Sequence, residues 1–325
     1  GPVFIINQEK ADIRFGEDMF TLLHDDPNHV LQADLGVDYV KLYRTIGPEL
    51  TAVAIDEAHS HGLKVIGHLN LTTFTQASAL GIDGIVHTGI YAPTWELAQG
   101  EHWDSIKTAF NVWRTPGTEE GFRLFRDNIN LDSPESTAWF ETLAEAQTPL
   151  EPNLVMLAAI AFGDDEMMYQ SFEPDKAPES WQGSWRLKFP TGDGVSNSWR
   201  EEMRATYPLF EEIAVRLYRA GAVLSVGTDL ANPWMTPGAS YHRELELLSD
   251  AGLTTKEVFI MATRNGAVAM DLETEIGAIE PGLSADLVVL DADPLDKVTN
   301  FRSIREVWAR GKRYTPNELV QNTNG

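Results

Sequence analysis

Four residues that can bind a metal ion or move a proton lie at the ends of short apolar runs of the kind that form buried β-strands. They are Lys41, His68, His87 and Asp229. Neutral imidazole and carboxylate groups bind divalent ions such as zinc or manganese. A lone histidine at a strand end is more often a hydrogen-bonded structural residue, and a lone aspartate there is often a helix N-cap. A lysine in a buried strand, however, is costly unless it is paired or modified, so the four residues together predict a metal site.

The segments around these residues alternate between strand and helix patterns. Strands are predicted at 3–6, 39–43, 63–69, 82–87, 154–162 and 222–227. Helices are predicted at 48–61, 74–80, 240–251 and 255–270. Strands that alternate with helices favour a parallel sheet covered by helices. Because the carboxyl ends of the strands in a (β/α)8 barrel converge on one mouth, we expect the four polar residues to face one site.

Two stretches interrupt this alternation, and the C-terminal part has a different pattern. Residues 88–152 contain helical patterns but no convincing strand. Residues 163–197 are predicted to form a long aromatic-rich loop, which is either a lid or wall beside the site or a surface insertion or oligomer contact. Apolar runs at 285–291 and 304–314, the second with a turn at 309–312, predict a small β element after the last helix.

Composition excludes several classes of protein. The 325 residues include no cysteine, which excludes thiolate catalysis, disulfides and zinc–thiolate sites. The net charge of −24 disfavours binding to nucleic acid or to an anionic membrane. No run approaches the roughly 20 apolar residues of a membrane-spanning helix. The chain does not begin with Met, so the sequence leaves its compartment, cytoplasmic or exported, undecided.

The C-terminal motifs resemble those of the amidohydrolase superfamily. They are Gly-Thr-Asp at 227–229, Tyr-His-Arg-Glu-Leu-Glu-Leu-Leu at 241–248, Ala-Thr-Arg-Asn-Gly-Ala at 262–267, Gly-Ala-Ile-Glu-Pro-Gly-Leu-Ser-Ala-Asp-Leu-Val-Val-Leu at 277–290 and Val-Trp-Ala-Arg-Gly-Lys at 307–312. The sequence is most similar to the imidazolonepropionase-like and Xaa-Pro-dipeptidase-like branch. This resemblance implies an α/β fold with a (β/α)8 TIM-type barrel at 1–272. It also implies that 273–325 is part of a small β-sandwich formed by both chain ends.

The resemblance also implies a role for each of the four strand-end residues. Lys41 matches a carboxylated lysine that bridges two metal ions, and His68 and His87 match metal-binding histidines. Asp229 matches an aspartate that binds metal and shuttles a proton. The implied cofactor is two divalent ions, zinc or else manganese or iron, which make a bridging hydroxide available near neutral pH. The implied activity is hydrolysis of a C–N bond in a small amide, cyclic amide or peptide-like substrate.

Four further residues are predicted to bind substrate. Tyr43 and Arg44 follow the first of the strand-end residues, and an arginine can hold a substrate carboxylate through two parallel hydrogen bonds. The alternative is that these two form a structural surface pair. Tyr91 and His242 are also predicted substrate contacts, His242 because it opens the helix that follows the last predicted strand.

The sequence departs from the superfamily at its N-terminal end. The first barrel strand should end in His-x-His, but no strand here does, and only the strand at 3–6 precedes Lys41 where three are expected. The chain therefore matches barrel strands three to eight. The first two strands are expected on a separate N-terminal polypeptide that carries His-x-His, in a part of the protein outside this sequence, or lost in an inactive relative. A non-catalytic scaffold and a lactonase or decarboxylase of the same fold are the alternative functions, and a homo-oligomer is one option for the assembly.

Overall fold

The structure is a computed structural model that describes residues 3–6, 38–44, 46–98, 118–182, 197–230, 232 and 234–321. The strands are β1 Val3–Ile6, β2 Tyr39–Leu42, β3 Lys64–Gly67, β4 Gly84–Val86, β5 Leu150–Glu151, β6 Leu287–Leu290, β7 Ile304–Ala309 and β8 Lys312–Tyr314. The α-helices are α1 Pro48–Ser60, α2 Phe74–Ala79, α3 Ala92–Glu96, α4 Thr118–Asn128, α5 Pro134–Ala146, α6 Leu154–Phe162, α7 Glu166–Ser171, α8 Asn197–Ala220, α9 Ala239–Asp250, α10 Thr255–Ile260, α11 Gly266–Ala269 and α12 Pro316–Gln321. Shorter segments are the 3₁₀ helices Pro174–Lys176 and Val298–Arg302 and the π-helix Met261–Asn265.

The chain divides into two compact units. Unit 1 comprises residues 1–152 and 192–223, and unit 2 comprises 153–191 and 224–325. The expected division into a barrel at 1–272 and a sandwich segment at 273–325 stays a prediction. Among the helices that the structure describes, none is long and apolar enough to cross a membrane.

The sheet of unit 1 confirms the predicted parallel pairing. Strands β1 to β5 lie side by side in sequence order, and each neighbouring pair is parallel. The register pairs Lys41 of β2 with Ile66 of β3. Because side chains alternate along a strand, Lys41 and His68 point to the same face of the sheet. The opposite face is buried and contains Val40, Leu42, Val65 and Ile85.

Local sequence signals explain where the connecting helices begin and end. Helix α1 follows Gly47, has Pro48 at its start and stops before Gly62, whose φ of +72° suits a helix C-terminus. Helix α2 begins with a capping box. In it, the Thr73 side chain accepts the Gln76 backbone N–H, and the Gln76 side chain accepts the Thr73 backbone N–H. These signals make the helix boundaries predictable to within one or two residues.

The predicted strand at 154–162 is wrong, because these residues form helix α6. The strand that follows β4 in the sheet is instead β5, which lies within the stretch 88–152, where the sequence predicts no strand. Eight of the nine residues of α6 are buried. A helix that is buried all round shows no periodicity, so its sequence cannot be distinguished from that of a buried strand. The Glu244 carboxylate of α9 accepts the backbone N–H groups of Leu154 at 3.0 Å and Val155 at 2.5 Å, which caps α6 at its start.

The predicted strand at 222–227 is also not a regular strand. Within the described residues it forms no ladder of the kind that joins β1 to β5. The Val223 carbonyl accepts the Leu150 N–H at 2.8 Å, so in unit 1 the chain passes beside β5 at this point. The predicted loop at 163–197 contains α7 and a 3₁₀ turn, and its residues 183–196 lie outside the described part of the chain.

The C-terminal β element is confirmed. Strands β6, β7 and β8 form an antiparallel sheet within unit 2. The turn between β7 and β8 contains Arg310 and Gly311, whose φ values of +49° and +74° suit a tight hairpin turn. The two predicted helices before this sheet are also confirmed, the second as α10, a π-helical segment and α11 in succession.

Replacement of Gly89, in the loop that follows β4, by a residue with a Cβ atom should cause a steric clash. A Cβ atom at this glycine would lie 2.7–2.8 Å from side-chain atoms of Phe210 in α8. Phe210 is fully buried, so it has little room to move. Gly89→Ala should therefore lower the free energy of unfolding by about 1–3 kcal/mol, the usual cost of overpacking a core. Urea denaturation measures this effect. Gly47→Ala is the control because its Cβ would meet nothing within 4 Å, and equal losses in the two variants would contradict the steric explanation.

Candidate functional site

His68 lies at the centre of a cluster of rings in unit 1. The rings of Tyr43, His87 and Tyr91 each have their centroid 4.5 Å from that of His68. His68 and His87 are almost fully buried, and Tyr91 is only 4% exposed. The cluster therefore places two imidazoles in contact with each other, enclosed by two phenol rings.

Backbone hydrogen bonds fix both histidines one residue beyond their strands. The His68 N–H donates to the Leu42 carbonyl of β2 at 3.0 Å, and the His87 N–H donates to the Glu151 carbonyl of β5 at 2.8 Å. His87 and Tyr91 have φ values of +68° and +65°. This left-handed conformation is uncommon for residues with a Cβ, and it recurs at functional sites where the surrounding structure holds it in place.

The surroundings of His68 keep its imidazole neutral. Burial lowers the pKa of His68 well below its ordinary value, and nearby His87, Lys41 and Arg44 lower it further. The Nε2 atom of His68 is buried and has no hydrogen-bond partner among the described residues. A neutral imidazole nitrogen is the form that binds a metal ion. His68 is therefore suited to be a ligand.

Lys41 adds a half-buried cation beside these imidazoles. Its side chain makes no hydrogen bond or ion pair with the residues that the structure describes. The described residues also include no group of three or more histidine or carboxylate side chains arranged to hold a metal ion. Unit 1 nevertheless offers two imidazoles and a lysine, which a carboxylation would convert into an anionic oxygen ligand. The chemistry of this donor set fits a divalent metal ion.

Asp229 belongs to unit 2, and an asparagine holds its carboxylate. The Asn232 side-chain amide donates to Asp229 Oδ2 at 2.6 Å and to the Asp229 carbonyl at 3.0 Å. Asp229 also has a left-handed backbone, with φ of +54°. The amide contact restricts the orientation of the carboxylate, which a metal ligand or proton carrier requires.

His242 lies in the first turns of α9 in unit 2. Burial is the main cause that lowers the pKa of His242, and Arg302 lowers it further, while Glu246 and Glu173 oppose the shift. Arg302 itself forms ion pairs with Glu246 at 2.8 Å and Glu173 at 2.7 Å. His242 is thus close to a network of charged residues within its own unit.

The structure therefore groups six of the predicted site residues in unit 1 and two in unit 2. The six are Lys41, Tyr43, Arg44, His68, His87 and Tyr91. Asp229 and His242 are the two in unit 2. The assignment of these residues as metal ligands, proton carriers or substrate contacts stays a prediction.

Sequence reasoning missed the polar residues that hold the loops of this cluster. Glu96 is the main example, because its carboxylate accepts the Phe74 N–H at 2.8 Å, the Thr75 N–H at 3.3 Å and the Thr75 hydroxyl at 2.8 Å. The available signal was a lone carboxylate in the mainly apolar run 90–98. Asn232 was missed as well, although an asparagine three residues after Asp229 is well placed to bond it.

The free energy of unfolding should depend on pH because of the Glu96 carboxyl group. Burial is the main cause that raises the pKa of Glu96 above its ordinary value of 4.5. Between that value and the raised one, the folded protein keeps a proton that the unfolded chain has released. Stability from this group is therefore lost as the pH rises through this interval, by up to about 1.4 kcal/mol per pH unit. Glu96→Gln should remove this slope.

Urea denaturation of the wild type and of Glu96→Gln across pH 4 to 8 measures that difference. Glu141→Gln, which changes an exposed glutamate of α5, is the matched control. If the stability difference between Glu96→Gln and the wild type does not vary with pH, the pKa of Glu96 is not raised.

Part of the sequence of unit 2, together with most of α8, resembles known hydrolases. Residues 201–314 match the model of the Amidohydrolase family. A stretch of 119 residues is 36% identical to an imidazolonepropionase of Streptomyces griseus and covers 34% of this chain and 28% of that protein. Over this part of its sequence the chain is similar to members of the amidohydrolase superfamily. A shorter stretch of the chain, 87 residues, is 36% identical to a 5'-deoxyadenosine deaminase of Methanobrevibacter smithii and covers 27% of the chain and 20% of that relative.

Solved structures extend the likeness in fold to most of the chain. A Xaa-Pro dipeptidase with bound methionine aligns with a TM-score of 0.55 at 15% identity, covering 86% of this chain and 55% of that one. A bottromycin amidohydrolase aligns with a TM-score of 0.64 at 21% identity, covering 92% and 60%. These neighbours indicate a TIM-type barrel fold. The chain spans little more than half the length of either structure.

Proposed function

We propose that this protein is a metal-dependent hydrolase that cleaves the C–N bond of a small amide, cyclic amide or peptide-like substrate. The observation that carries the proposal is the contact between His68 and His87, whose ring centroids lie 4.5 Å apart at the carboxyl ends of adjacent parallel strands. The relatives support the same class of reaction, because they include an imidazolonepropionase, a deaminase and a dipeptidase.

His68, His87, a carboxylated Lys41 and Asp229 are the residues proposed to hold two divalent ions, zinc or else manganese or iron. The bound ions would supply a water molecule that loses its proton near neutral pH. Carboxylation of Lys41 replaces a cation that has no counter-ion among the described residues with an anionic oxygen ligand. His68 contributes a neutral imidazole because its pKa is lowered. Asp229 joins the set on the strength of the family resemblance.

The chain's own side chains have separate proposed tasks in the reaction. Asp229 takes a proton from the attacking water and passes it to the leaving nitrogen, which is general acid–base catalysis by one carboxylate. Asn232 keeps that carboxylate oriented through its contact with Oδ2. Arg44, with Tyr43, holds a substrate carboxylate, which would then lie near His68 because Arg44 is close enough to lower the pKa of His68. Tyr91 is a further proposed substrate contact.

The proposal also assigns the strands of the barrel. Strands β1 to β5 correspond to barrel strands three to seven, and the extended segment before Asp229 corresponds to strand eight. Residues 273–325 contribute part of the small β-sandwich. The His-x-His of the first strand is then supplied by a part of the protein outside this sequence or by a separate polypeptide. His242 is the proposed substrate contact from the helix that follows strand eight.

A turnover assay with metal removed and restored tests the proposal. The purified protein, with any polypeptide that copurifies, is treated with a chelator and then supplied with zinc or manganese. Substrates are proline dipeptides, N-acyl amino acids and cyclic amides, with matched esters and lactones. Amide hydrolysis should disappear with the metal and return with it. Full amide hydrolysis after metal removal would refute metal dependence, hydrolysis of lactones alone would favour the alternative enzyme, and absence of both metal and turnover would favour the scaffold.

A further inference from the structure

We propose that Trp95 and Glu96 are positioning residues for the cluster around His68. Together they fasten the loop after β4, which contains Tyr91, to the loop after β3, which begins at His68. This inference rests on the proposed function for its catalytic consequence, but its structural part can be tested without any activity. All of the residues involved lie in unit 1.

The first contact joins the two loops directly. The indole N–H of Trp95 donates to the backbone carbonyl of Asn70 at 3.1 Å, and its distance to the Asn70 side-chain oxygen is 3.3 Å. Trp95 is 4% exposed and Asn70 is 2% exposed. Because Asn70 lies two residues after His68, this bond fixes the backbone directly beyond the histidine. The N–H of Ala92 adds a third bond, to the Leu69 carbonyl at 3.3 Å.

The second contact is made by Glu96, the residue after Trp95. The Glu96 carboxylate accepts two backbone N–H groups and one hydroxyl from Phe74 and Thr75, at the start of α2. A carboxylate at this position also compensates the unpaired N–H groups of the helix end. Trp95 and Glu96 are adjacent in the short helix α3. One of them bonds Asn70 within the β3 loop and the other bonds the start of α2, where that loop ends.

The other side of the β3 loop is anchored to the loop after β2. The Leu71 N–H donates to the Arg44 carbonyl at 3.1 Å, and the Thr72 hydroxyl donates to the Ile46 carbonyl at 2.8 Å. Thr72 is fully buried and also bonds the Thr51 hydroxyl at 2.9 Å. The β3 loop is therefore fixed on one side by its bonds to the β2 loop. Trp95 and Glu96 bond its other side, and in this way they connect the segment that contains Tyr91 to a loop that is already fixed.

Tyr91 requires such support because of its backbone. Its φ of +65° is a strained conformation that persists only where the surroundings hold it. Tyr91 is also followed directly by Ala92, which bonds the β3 loop. Without Trp95 and Glu96, we expect the Tyr91 ring to move away from the His68 ring, with which it is now in contact at 4.5 Å.

Nuclear magnetic resonance of the imidazole groups tests this directly. The chain has eight histidines, so selective ¹³C labelling gives a countable set of Cε1–H signals. Tyr91→Leu serves as the reference because it removes the ring current of Tyr91 from His68. Trp95→Phe, which removes the indole donor and makes the buried ring smaller, and Glu96→Gln should each move the His68 signal in the same direction as Tyr91→Leu. In the enzyme assay, each should lower kcat/KM by about tenfold or more, as loss of a supporting contact commonly does.

Thr254→Ala is the matched control for loss of stability alone. Thr254 caps α10 in unit 2 by accepting the Glu257 N–H, so its loss should lower the melting temperature without moving the His68 signal. An unchanged His68 signal in both Trp95→Phe and Glu96→Gln would overturn the proposal. If Glu96→Gln does not fold, Trp95→Phe and Thr75→Val decide. Failure of the proposed function would appear separately, as absence of turnover in the wild type with the signal shifts still present.

Discussion

Lys41→Ala should lose most of its bound metal and at least about a hundredfold in turnover. Mutation of supporting contacts around metal ligands typically costs 10- to 100-fold in metal affinity or activity, so removal of Lys41, a proposed metal ligand, should cost no less. Lys41→Glu should be less harmful, since it keeps an anionic oxygen group at the same position of β2. A short-chain carboxylic acid added to Lys41→Ala should restore part of the loss. Metal content and turnover are measured for each variant.

The order of these variants separates the ligand role from a structural one. An unpaired glutamate in a partly buried position is no better tolerated than alanine for structural reasons. Lys64→Ala is the matched control because Lys64 is a half-buried lysine at the other end of the neighbouring strand β3. If Lys41→Ala keeps full metal content and full turnover, Lys41 is an ordinary strand residue and the two-metal proposal is wrong.

His68→Phe should stabilise the metal-free protein and abolish its response to metal. The His68 Nε2 atom is buried without a hydrogen-bond partner among the described residues, and such a group costs about 1–3 kcal/mol. A phenylalanine occupies a similar space between Tyr43 and Tyr91 and contains no polar atom. Urea denaturation in the presence of a chelator should therefore give a higher free energy of unfolding for His68→Phe than for the wild type.

Added zinc should then reverse the order of stability. An ion bound only by the folded state stabilises it by mass action, by about 2.7 kcal/mol at one hundred times the dissociation constant. The wild type should gain this increment and His68→Phe should not. Phe74→Leu, a change in a fully buried ring of α2, is the control that should destabilise the metal-free protein and keep the response to zinc. A His68→Phe variant that is less stable without metal would show that His68 has a structural partner.

The sequence predicts this fold well where local signals agree with burial. Strands β1 to β4 and helices α1 and α2 alternate as predicted, because each helix has its own start and stop signals. Helix α6 was predicted to be a strand because complete burial removes the polar face that reveals a helical period. Strand β5 was missed because only Leu150 and Glu151 belong to it, a length too short for a pattern.

The candidate site was predictable only in part. Residues at the ends of parallel strands share one edge of the sheet, so His68 and His87 could be expected to lie together from their positions alone. The contacts of Tyr91 depend on a left-handed backbone and on the bonds of Trp95 and Glu96. Those bonds join loops that are about 25 residues apart in sequence, and no local pattern indicates them.

Crystallographic location of bound metal tests the central claim most directly. Crystals of the protein saturated with zinc, with any copurifying polypeptide retained, are measured on both sides of the zinc absorption edge. The account predicts anomalous density about 2.0–2.1 Å from a ring nitrogen of His68 and of His87. It also predicts ligand contacts from a carboxylated Lys41 and from Asp229. Zinc bound elsewhere, with His68 and His87 left without metal, would contradict the account.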